Sequence, residues 1–414
     1  MKVRPFRGIR PRADIIEKVN VPPYDTVERG EVRQFMKGNP QSFFHISRAD
    51  GDFDDSVGEY EDQVYRKAKD NFARFLRDGI YKQDKEPAYY LYSQTWQGKT
   101  QNGIYIAASC DDYAEGDIKK HELTRKDKEE DRTHHLLTLG INTGPVFLFF
   151  RDSPAYEEII ADVLATPPQY DFTDEHDVTN KLWHIADPEH IRSLNDFFAG
   201  LPCMYIADGH HRAASAFNAR KKMEAANPKH TGGEEYNFFL AVTFPGSHLR
   251  ILPYNRLVTD LNGLTPDDLL KKIDERFDAA PTDKHDPDTG KSVVMYIDGK
   301  SYLLTPKAGS YDPNDAVGAL DVSIMQNNLL APVLGIADPR TSKRVKFVGG
   351  RKGSAELRRA VDAGEAAAAF SMYPVTVEEL MKIADSGMIM PPKSTWFEPK
   401  LRSGLVLHSI EKTG

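Results

Sequence analysis

Cysteine is scarce in this sequence. Its 414 residues include only Cys110 and Cys203, both in apolar, strand-like runs and neither in a CxxC pair. Two isolated cysteines support neither a disulfide framework nor a cysteine-rich zinc site. We therefore expect a reducing, cytoplasmic environment.

Long apolar runs and an excess of positive charge are also missing. No stretch approaches the roughly 18 apolar residues of a membrane helix, and the first six residues, MKVRPF, lack the apolar core of a signal peptide. The 54 basic and 62 acidic residues give a net charge of −8. The composition predicts a soluble protein whose partner is a small molecule or a protein, rather than a nucleic acid or a membrane.

Two common glycine-rich nucleotide fingerprints, GxxxxGK[ST] and GxGxxG, do not occur, so neither a P-loop nor a Rossmann site is predicted. At about 150 residues per domain the length suggests two or three domains. The patterns predict an α/β (α+β) fold in three regions. These are an N-terminal α/β region over residues 1–114, a core over 115–255 and a C-terminal α/β region over 256–414, which includes a strand-helix-strand-helix extension.

What the sequence does contain is an apolar run that stops abruptly at polar residues. Residues 203–207 suit a buried strand, and residues 213–226 suit a helix that ends before Pro228. The residues between them are Asp208, Gly209, His210, His211 and Arg212. A helix N-terminus offers unpaired N–H groups and a favourable dipole, and an arginine adds a bidentate contact, so we predict that phosphate binds here.

Asp208 has two interpretations. Beside an anion, a carboxylate serves as a metal ligand or a proton acceptor. Alternatively, Asp208 only caps the helix, Gly209 makes the turn and the two histidines are solvated. The crowding of functional side chains at one strand end favours phosphate chemistry, because open α/β sheets bind ligands there.

A second polar pair, His121 and Glu122, precedes another predicted helix that starts at about residue 125. Thr124 and Asp127 match a capping box at its start. The Glu122 carboxylate there could act as a base, or the pair could be an exposed loop end.

Other elements around these motifs follow from apolar periodicity and turn residues. They are a helix over 55–78, a hairpin over 89–108, strands over 146–150 and 237–244, and a helix and loop over 177–198. The helix that starts at about residue 125 is predicted to end at Gly140. His134 and His135 are predicted to lie on the surface of their helix.

A proline-stiffened turn near the C-terminus contains a lysine and two hydroxyls, Lys393, Ser394 and Thr395. Such a turn suits a second anion contact, or it is a surface loop. It follows a helix for which Thr376 and Glu379 predict a capping box.

Over nearly its whole length the chain resembles a large bacterial and archaeal family of unknown function, numbered 1015. The matching segments are Pro22-Pro23-Tyr24-Asp25, His121-Glu122-x-Thr124 with Asp131-Arg132, Ala207 to Arg212, Leu320-Asp321-Val322-Ser323, and Met390 to Thr395 leading to Ser403-Gly404-Leu405. This resemblance implies membership but no function.

More distantly, the chain resembles the ADP-dependent free serine kinases of the ParB/sulfiredoxin superfamily. Those enzymes carry a His-Glu pair before a helix, an Asp-Gly-His-His-Arg turn and a Pro-Lys-Thr-Thr turn, in that order. The likeness covers residues 115–245 and 340–402, whereas the first 110 residues have no counterpart. It implies a ParB/sulfiredoxin-like core with a mixed sheet. Sulfiredoxin chemistry is excluded, because His210 stands where those proteins need a cysteine.

The resemblance to the kinases implies a transferase with ADP or ATP as co-substrate, Mg²⁺, and serine or phosphoserine as the small-molecule substrate, in either direction. The same resemblance implies the roles of the site residues. Glu122 would be the base, and Asp208 would orient the nucleophile or hold the metal. The phosphates would be bound by Gly209, His210, His211 and Arg212, and the substrate by His121, Lys393, Ser394 and Thr395. A nucleotide-binding regulatory protein without turnover is the alternative. A homo-oligomer is compatible with the sequence.

Overall fold

A computed structural model describes residues 1–411 of the chain. They divide into two compact units. The first comprises Met1–Leu249 together with the residues from Pro399 onward, and the second comprises Arg250–Glu398. These units differ from the three predicted regions, because residues 1–114 and 115–249 contribute strands to one sheet and the C-terminal segment returns to the first unit.

Most helices begin and end at residues that commonly start or stop helices, such as proline in the first turn and glycine after the last turn. Proline in the first turn starts three of those described below, since its fixed φ suits that position. In chain order the α-helices are α1 (Ile16–Val19), α2 (Arg29–Met36), α3 (Phe44–Ser47), α4 (Asp62–Arg77), α5 (Cys110–Glu115), α6 (Lys126–Leu139), α7 (Pro154–Leu164), α8 (Pro188–Gly200), α9 (His210–Ala226), α10 (Pro266–Ile273), α11 (Asp321–Met325), α12 (Gly353–Asp362) and α13 (Val377–Asp385). Short 3₁₀ turns span Ala13–Ile15, Ala49–Asp52, Glu235–Asn237, Gly246–His248 and Gly350–Lys352, and a π-helical turn spans Gln326–Leu330.

The strands alternate with these helices along the chain. They are β1 (Val3–Arg4), β2 (Ile9–Pro11), β3 (Tyr81–Gln83), β4 (Tyr89–Trp96), β5 (Lys99–Ser109), β6 (Ile118–Lys119), β7 (Ile141–Asn142), β8 (Val146–Phe150), β9 (Tyr170–Thr173), β10 (Thr179–Ile185), β11 (Met204–Asp208), β12 (Phe238–Pro245), β13 (Ile251–Leu252), β14 (Tyr254–Val258), β15 (Phe277–Pro281), β16 (Val293–Ile297), β17 (Lys300–Pro306), β18 (Val345–Gly349), β19 (Ala368–Met372), β20 (Trp396–Phe397) and β21 (His408–Ser409).

A mixed sheet forms the centre of the first unit, which confirms the predicted mixed α/β class. Its strand order is β6-β11-β8-β12-β5-β4-β10-β9, and β1 pairs with β5. Strand β11 pairs antiparallel with β8 and parallel with β6, whereas β12 runs parallel to β8. The predicted strand-helix-strand segment therefore places β11 and β12 on opposite sides of β8.

One apolar core of this unit packs against the sheet and includes the buried face of α9. The strands contribute branched and aromatic side chains such as Ile106, Leu148 and Ile206, all fully buried. The facing side of α9 carries Ala213 and Ala216, whose small side chains allow the helix to lie close to the sheet. This packing holds the N-terminus of α9 firmly against the end of β11.

The second unit contains an antiparallel sheet with the order β15-β17-β16-β19-β14-β18. The predicted C-terminal alternation is confirmed as β18, α12, β19 and α13. Thr376 and Glu379 form the predicted capping box, in which each side chain bonds the other residue's backbone N–H.

Several local predictions were wrong. Helix α4 begins at Asp62 rather than at residue 55, and β10 occupies part of the segment predicted as helix and loop, because it pairs with β4 and β9. Arg125 is the N-cap residue of α6, so the predicted capping box does not form; the Thr124 hydroxyl instead donates to the Glu129 carboxylate.

His135 is buried rather than exposed, because α6 packs between α4 and α9. Its Nε2 atom lies 3.1 Å from the Ile46 carbonyl oxygen. Burial, and then the charge of Arg132, lower the pKa of His135 to about 3. The imidazole is therefore neutral in the folded protein at neutral pH.

We expect the free energy of unfolding to fall as the pH drops from about 6.5 toward about 3, because the unfolded chain then protonates His135 and the folded chain does not. One such proton contributes about 1.4 kcal/mol per pH unit. His135→Asn should reduce the slope by about this amount in denaturant unfolding measured at several pH values. His134→Asn, at the half-exposed neighbour, is the matched control, and an unchanged slope in His135→Asn would contradict the prediction.

Both cysteines are free thiols, and burial raises the pKa of Cys110 to about 12. Among residues 1–411, no helix combines the length and the apolar character needed to cross a bilayer.

Candidate functional site

The predicted phosphate-binding turn joins β11 to α9. A register shift between Ile206 and Asp208 interrupts the pairing of β11 with β8. Gly209 follows with a φ of +94°, in the left-handed region, and it is the N-cap residue of α9. Asp208 is therefore not the N-cap residue, and Gly209 has no side chain that could cap the helix. The first backbone N–H groups of an α-helix have no partner within the helix, so the start of α9 can donate hydrogen bonds to an anion.

Asp208 is surrounded by positive charge. Its Oδ2 atom lies 3.2 Å from Lys400 Nζ and 3.5 Å from the guanidinium of Arg212, while Oδ1 accepts a 2.9 Å hydrogen bond from the Gly209 N–H. Burial alone would raise the pKa of Asp208, but Lys400 and Arg212 outweigh it and hold the pKa below its ordinary value. Asp208 is thus a firmly ionised carboxylate and a weak base.

Arg212 is largely shielded from solvent, with 11% of its side chain exposed, and it is held from two sides. Its guanidinium donates to the Pro145 carbonyl and contacts Asp208. Burial tends to lower the pKa of Arg212, but the negative charges of Asp25 and Asp208 raise it, so the side chain stays charged. The Nε atom is buried without a hydrogen-bond partner among the described residues. A buried unpaired donor costs about 1–3 kcal/mol, which a bound anion could recover.

The structure brings His121 and Glu122 to the same place. Strand β6 pairs in parallel with β11, so the residues after β6 lie beside the residues that end β11. The rings of His121 and His210 meet edge to face with 4.6 Å between centroids. The Glu122 Oε2 atom lies 4.0 Å from His210 Nδ1. Two motifs nearly 90 residues apart in the sequence thus form one cluster.

The histidines of the cluster are neutral at neutral pH. Burial lowers the pKa of His121 to about 4 and lowers that of His210 well below its ordinary value, with His121 adding to the second effect. Burial also lowers the pKa of His211, whose Nε2 atom accepts a 3.0 Å hydrogen bond from the Arg125 N–H. The predicted turn therefore contributes neutral imidazoles and one arginine charge.

A model of the family described as "Protein of unknown function (DUF1015)" matches residues 3–323. The chain belongs to this family. The resemblance drawn from the motifs is thereby confirmed. A comparison with curated proteins gives no match.

Free serine kinases are among the solved structures similar to this chain. A variant of one in complex with AMP is 13% identical, covers 71% of this chain and 87% of its own, and gives a TM-score of 0.35. SbnI from Staphylococcus aureus, truncated at its C-terminus, is 10% identical with coverages of 72% and 84% and a TM-score of 0.35. A conserved hypothetical protein from Pyrococcus furiosus is 14% identical with coverages of 72% and 92% and a TM-score of 0.34. Likenesses this weak carry no inference about the present chain.

Lys400 is the site residue that sequence reasoning missed. It is an isolated lysine in the segment that returns to the first unit, 192 residues from its partner Asp208. No local pattern marks it. The Pro22-Pro23-Tyr24-Asp25 segment was recognised only as a segment that matches the family, and its relation to Arg212 emerges from the fold, where the Asp25 charge acts on that arginine.

Lys393, Ser394 and Thr395 belong to the second unit. Lys393 is exposed and adopts a φ of +56°, and its carbonyl accepts a hydrogen bond from Arg256. The Ser394 hydroxyl is buried and donates to the Pro391 carbonyl, which closes the turn. The part of this turn in substrate binding stays a prediction.

Asp208 does not fit the metal role that the resemblance implies. Mg²⁺ prefers an octahedron of oxygen ligands. Lys400 and Arg212 already lie against the carboxylate, and a dication at the same oxygens would be repelled by both. The arrangement instead suits Asp208 to hold the two cations in place.

Gly209→Ala should damage this turn. A methyl group there would lie 3.1 Å from the Arg212 guanidinium, and the φ of +94° is unfavourable for alanine. We expect a loss of about 1–2 kcal/mol in the free energy of unfolding, measured by denaturant titration. Gly200→Ala, at an open position in the last turn of α8, is the control and should be neutral or slightly stabilising. Equal stability of the two variants would contradict the strain at Gly209.

Proposed function

We propose that the protein is a phosphotransferase that moves a phosphoryl group between an adenine nucleotide and the hydroxyl of free serine or a similar small compound. One observation supports this most directly: the Glu122 carboxylate lies beside the N-terminus of α9, within 4.0 Å of His210. A base and a phosphate-binding turn are thus adjacent. The proposal includes a ParB/sulfiredoxin-like core for the first unit.

The phosphates bind at the start of α9. The helix N-terminus supplies backbone N–H groups and a positive partial charge, and Gly209 permits close approach because it has no side chain. Arg212 adds a fixed charge with an unpaired donor. Lys400 brings a second positive charge, and the carboxylates of Asp208 and Asp25 act on this pair of cations. The backbone N–H groups and the unpaired donor of Arg212, rather than a net positive charge, therefore suit an anionic phosphate.

Phosphoryl transfer requires mainly that the reacting groups are correctly positioned and that the charge of the transferred phosphoryl group is neutralised. In the kinase direction, Glu122 accepts the proton of the substrate hydroxyl. At the same time the hydroxyl oxygen forms a bond to the terminal phosphorus of the nucleotide. The bond from that phosphorus to the bridging oxygen breaks, and the electron pair leaves with the shortened nucleotide. The reverse direction uses the same groups, with protonated Glu122 returning the proton to the serine oxygen.

Glu122 is a better candidate for the base than Asp208. About half of the Glu122 side chain is exposed, so an incoming substrate can reach it. The lowered pKa of Asp208 and its contacts with two cations make proton uptake there unfavourable. Asp208 then orients Arg212 and Lys400 toward the phosphates. Mg²⁺ enters on the nucleotide phosphates as part of the substrate.

The acceptor is a small molecule with a hydroxyl. We assign His121 to its side of the site, because this residue adjoins Glu122. Lys393, Ser394 and Thr395 are proposed to bind the carboxylate or phosphate of the acceptor, as the resemblance to the kinases implies.

The proposal is tested by incubating the protein with Mg²⁺, ADP or ATP and a panel of hydroxy amino acids. We expect mass spectrometry to detect a phosphorylated amino acid together with the shortened nucleotide. The reverse reaction is assayed with phosphoserine and AMP or ADP. Tight nucleotide binding without product in either direction would favour a regulatory protein instead.

A further inference from the structure

We propose that His121, Glu122 and His210 bind a divalent transition-metal ion of the Zn²⁺ or Co²⁺ type. One ligand atom from each of the three residues lies within 4.8 Å of the others. Two imidazole nitrogens and one carboxylate oxygen make a donor set that such ions prefer, whereas Mg²⁺ prefers oxygen alone. This site is distinct from the nucleotide's Mg²⁺.

His121 provides the second, independent observation. Only 2% of this residue is exposed, neither ring nitrogen makes a well-aligned hydrogen bond among the described residues, and the Ile206 backbone can engage at most one of the two nitrogens. A buried imidazole nitrogen without a partner is costly, since it loses water and gains nothing in return. A metal ion bound to one ring nitrogen removes that cost.

The geometry closes around an ion with small movements. Zn²⁺ binds nitrogen and oxygen at about 2.0–2.2 Å, so two ligands of one ion lie closer together than 4.0 Å in a tetrahedron. Glu122 Oε2 and His210 Nδ1 are 4.0 Å apart. Because Glu122 is half exposed, a rotation of its side chain can shorten this distance, and the ligand nitrogens of His121 and His210 start no more than 4.8 Å apart.

The proposal of this metal site does not depend on the proposed function. A bound ion would, however, affect the proposed phosphoryl transfer. An ion bound to the Glu122 carboxylate occupies the electron pair that would accept the substrate proton. Metal binding and phosphoryl transfer are then alternative states of one site. Zn²⁺ should therefore inhibit turnover over the concentration range in which it binds, and a chelator that binds Zn²⁺ much more tightly than Mg²⁺ should restore it.

The test is a titration of the intact, nucleotide-free protein with Co²⁺, followed by visible absorption. We expect ligand-field bands that saturate at one ion per chain, that Zn²⁺ abolishes by competition, and that millimolar Mg²⁺ leaves unchanged. Because no substrate is present, this readout is independent of whether the protein transfers phosphate. Absence of bands together with no Zn²⁺ binding in calorimetry would overturn the proposal.

Two variants locate the ion. His121→Asn and Glu122→Gln should each weaken Co²⁺ binding by about 100-fold or more, since even loss of a group that only orients a ligand costs about 10- to 100-fold. Glu122 is half exposed, so its variant stays folded even if the buried His121 variant does not. Binding of Co²⁺ to Glu122→Gln with parental affinity would refute the site.

Two control variants exclude other sites. His134→Asn removes a half-exposed histidine outside the cluster, and Glu115→Gln removes a carboxylate from the surface cluster of Asp112, Glu115 and Asp117. Both should bind Co²⁺ as the parent does. Loss of the bands in Glu115→Gln alone would place the ion at that surface cluster and contradict the proposal.

Discussion

Glu122→Gln should lower turnover by about 10²- to 10⁴-fold while nucleotide affinity stays nearly unchanged. Glutamine keeps the size of the side chain and removes its basicity. Because Glu122 lies beside the phosphate-binding turn rather than in it, the nucleotide loses little when this charge is removed. Steady-state kinetics with the amino acid identified in the product assay, together with calorimetric titration of the nucleotide, separate the two effects.

The matched control for this variant is Glu130→Gln. Glu130 is an exposed residue of α6 that pairs only loosely with Lys126, 3.8 Å away, and its replacement should leave the rate unchanged. If Glu122→Gln turned over at close to the parental rate, Asp208 would become the better candidate for the base. A simultaneous loss of nucleotide binding would instead indicate that Glu122 supports the fold or holds a metal.

Arg212→Ala should weaken nucleotide binding by about 1.5–3 kcal/mol, the range for a hydrogen bond to a charged group. This corresponds to about 10- to 150-fold in the dissociation constant. The physical reason is that Arg212 is a largely shielded cation that Asp208 and Pro145 already hold in place. A ligand therefore gains the contact without a cost in ordering the side chain. Isothermal calorimetry with the magnesium nucleotide measures the effect.

Lys222→Ala provides the comparison for Arg212. It removes a positive charge from the same helix at an exposed position, remote in sequence from the turn. Nucleotide affinity should remain close to that of the parent. Arg212→Lys should fall between Arg212→Ala and the parent, because it keeps the charge but loses the planar pair of donors. Unchanged affinity in Arg212→Ala would move the phosphate site away from the start of α9.

The sequence by itself determined the local elements of the site. Strand β11, the glycine turn and α9 follow from a buried apolar run, one left-handed position and an alanine-rich stretch, all within about 25 residues. Helix α6 and its end at Gly140 were equally predictable, because a left-handed glycine is a local signal. The motifs at 121–122 and 208–212 could also be recognised, because each consists of residues that are adjacent in the sequence.

Only the tertiary structure decided how these elements combine. The parallel pairing of β6 with β11 places Glu122 beside His210, and the returning C-terminal segment brings Lys400 to Asp208. Strand pairing also makes residues 1–114 part of the central sheet instead of a separate region, because β1, β4 and β5 belong to that sheet. Strand order depends on contacts between residues far apart in the chain, and local periodicity contains no information about which distant strand is the neighbour. The burial of His135 has the same origin, since packing against two other helices cannot be deduced from one helix alone.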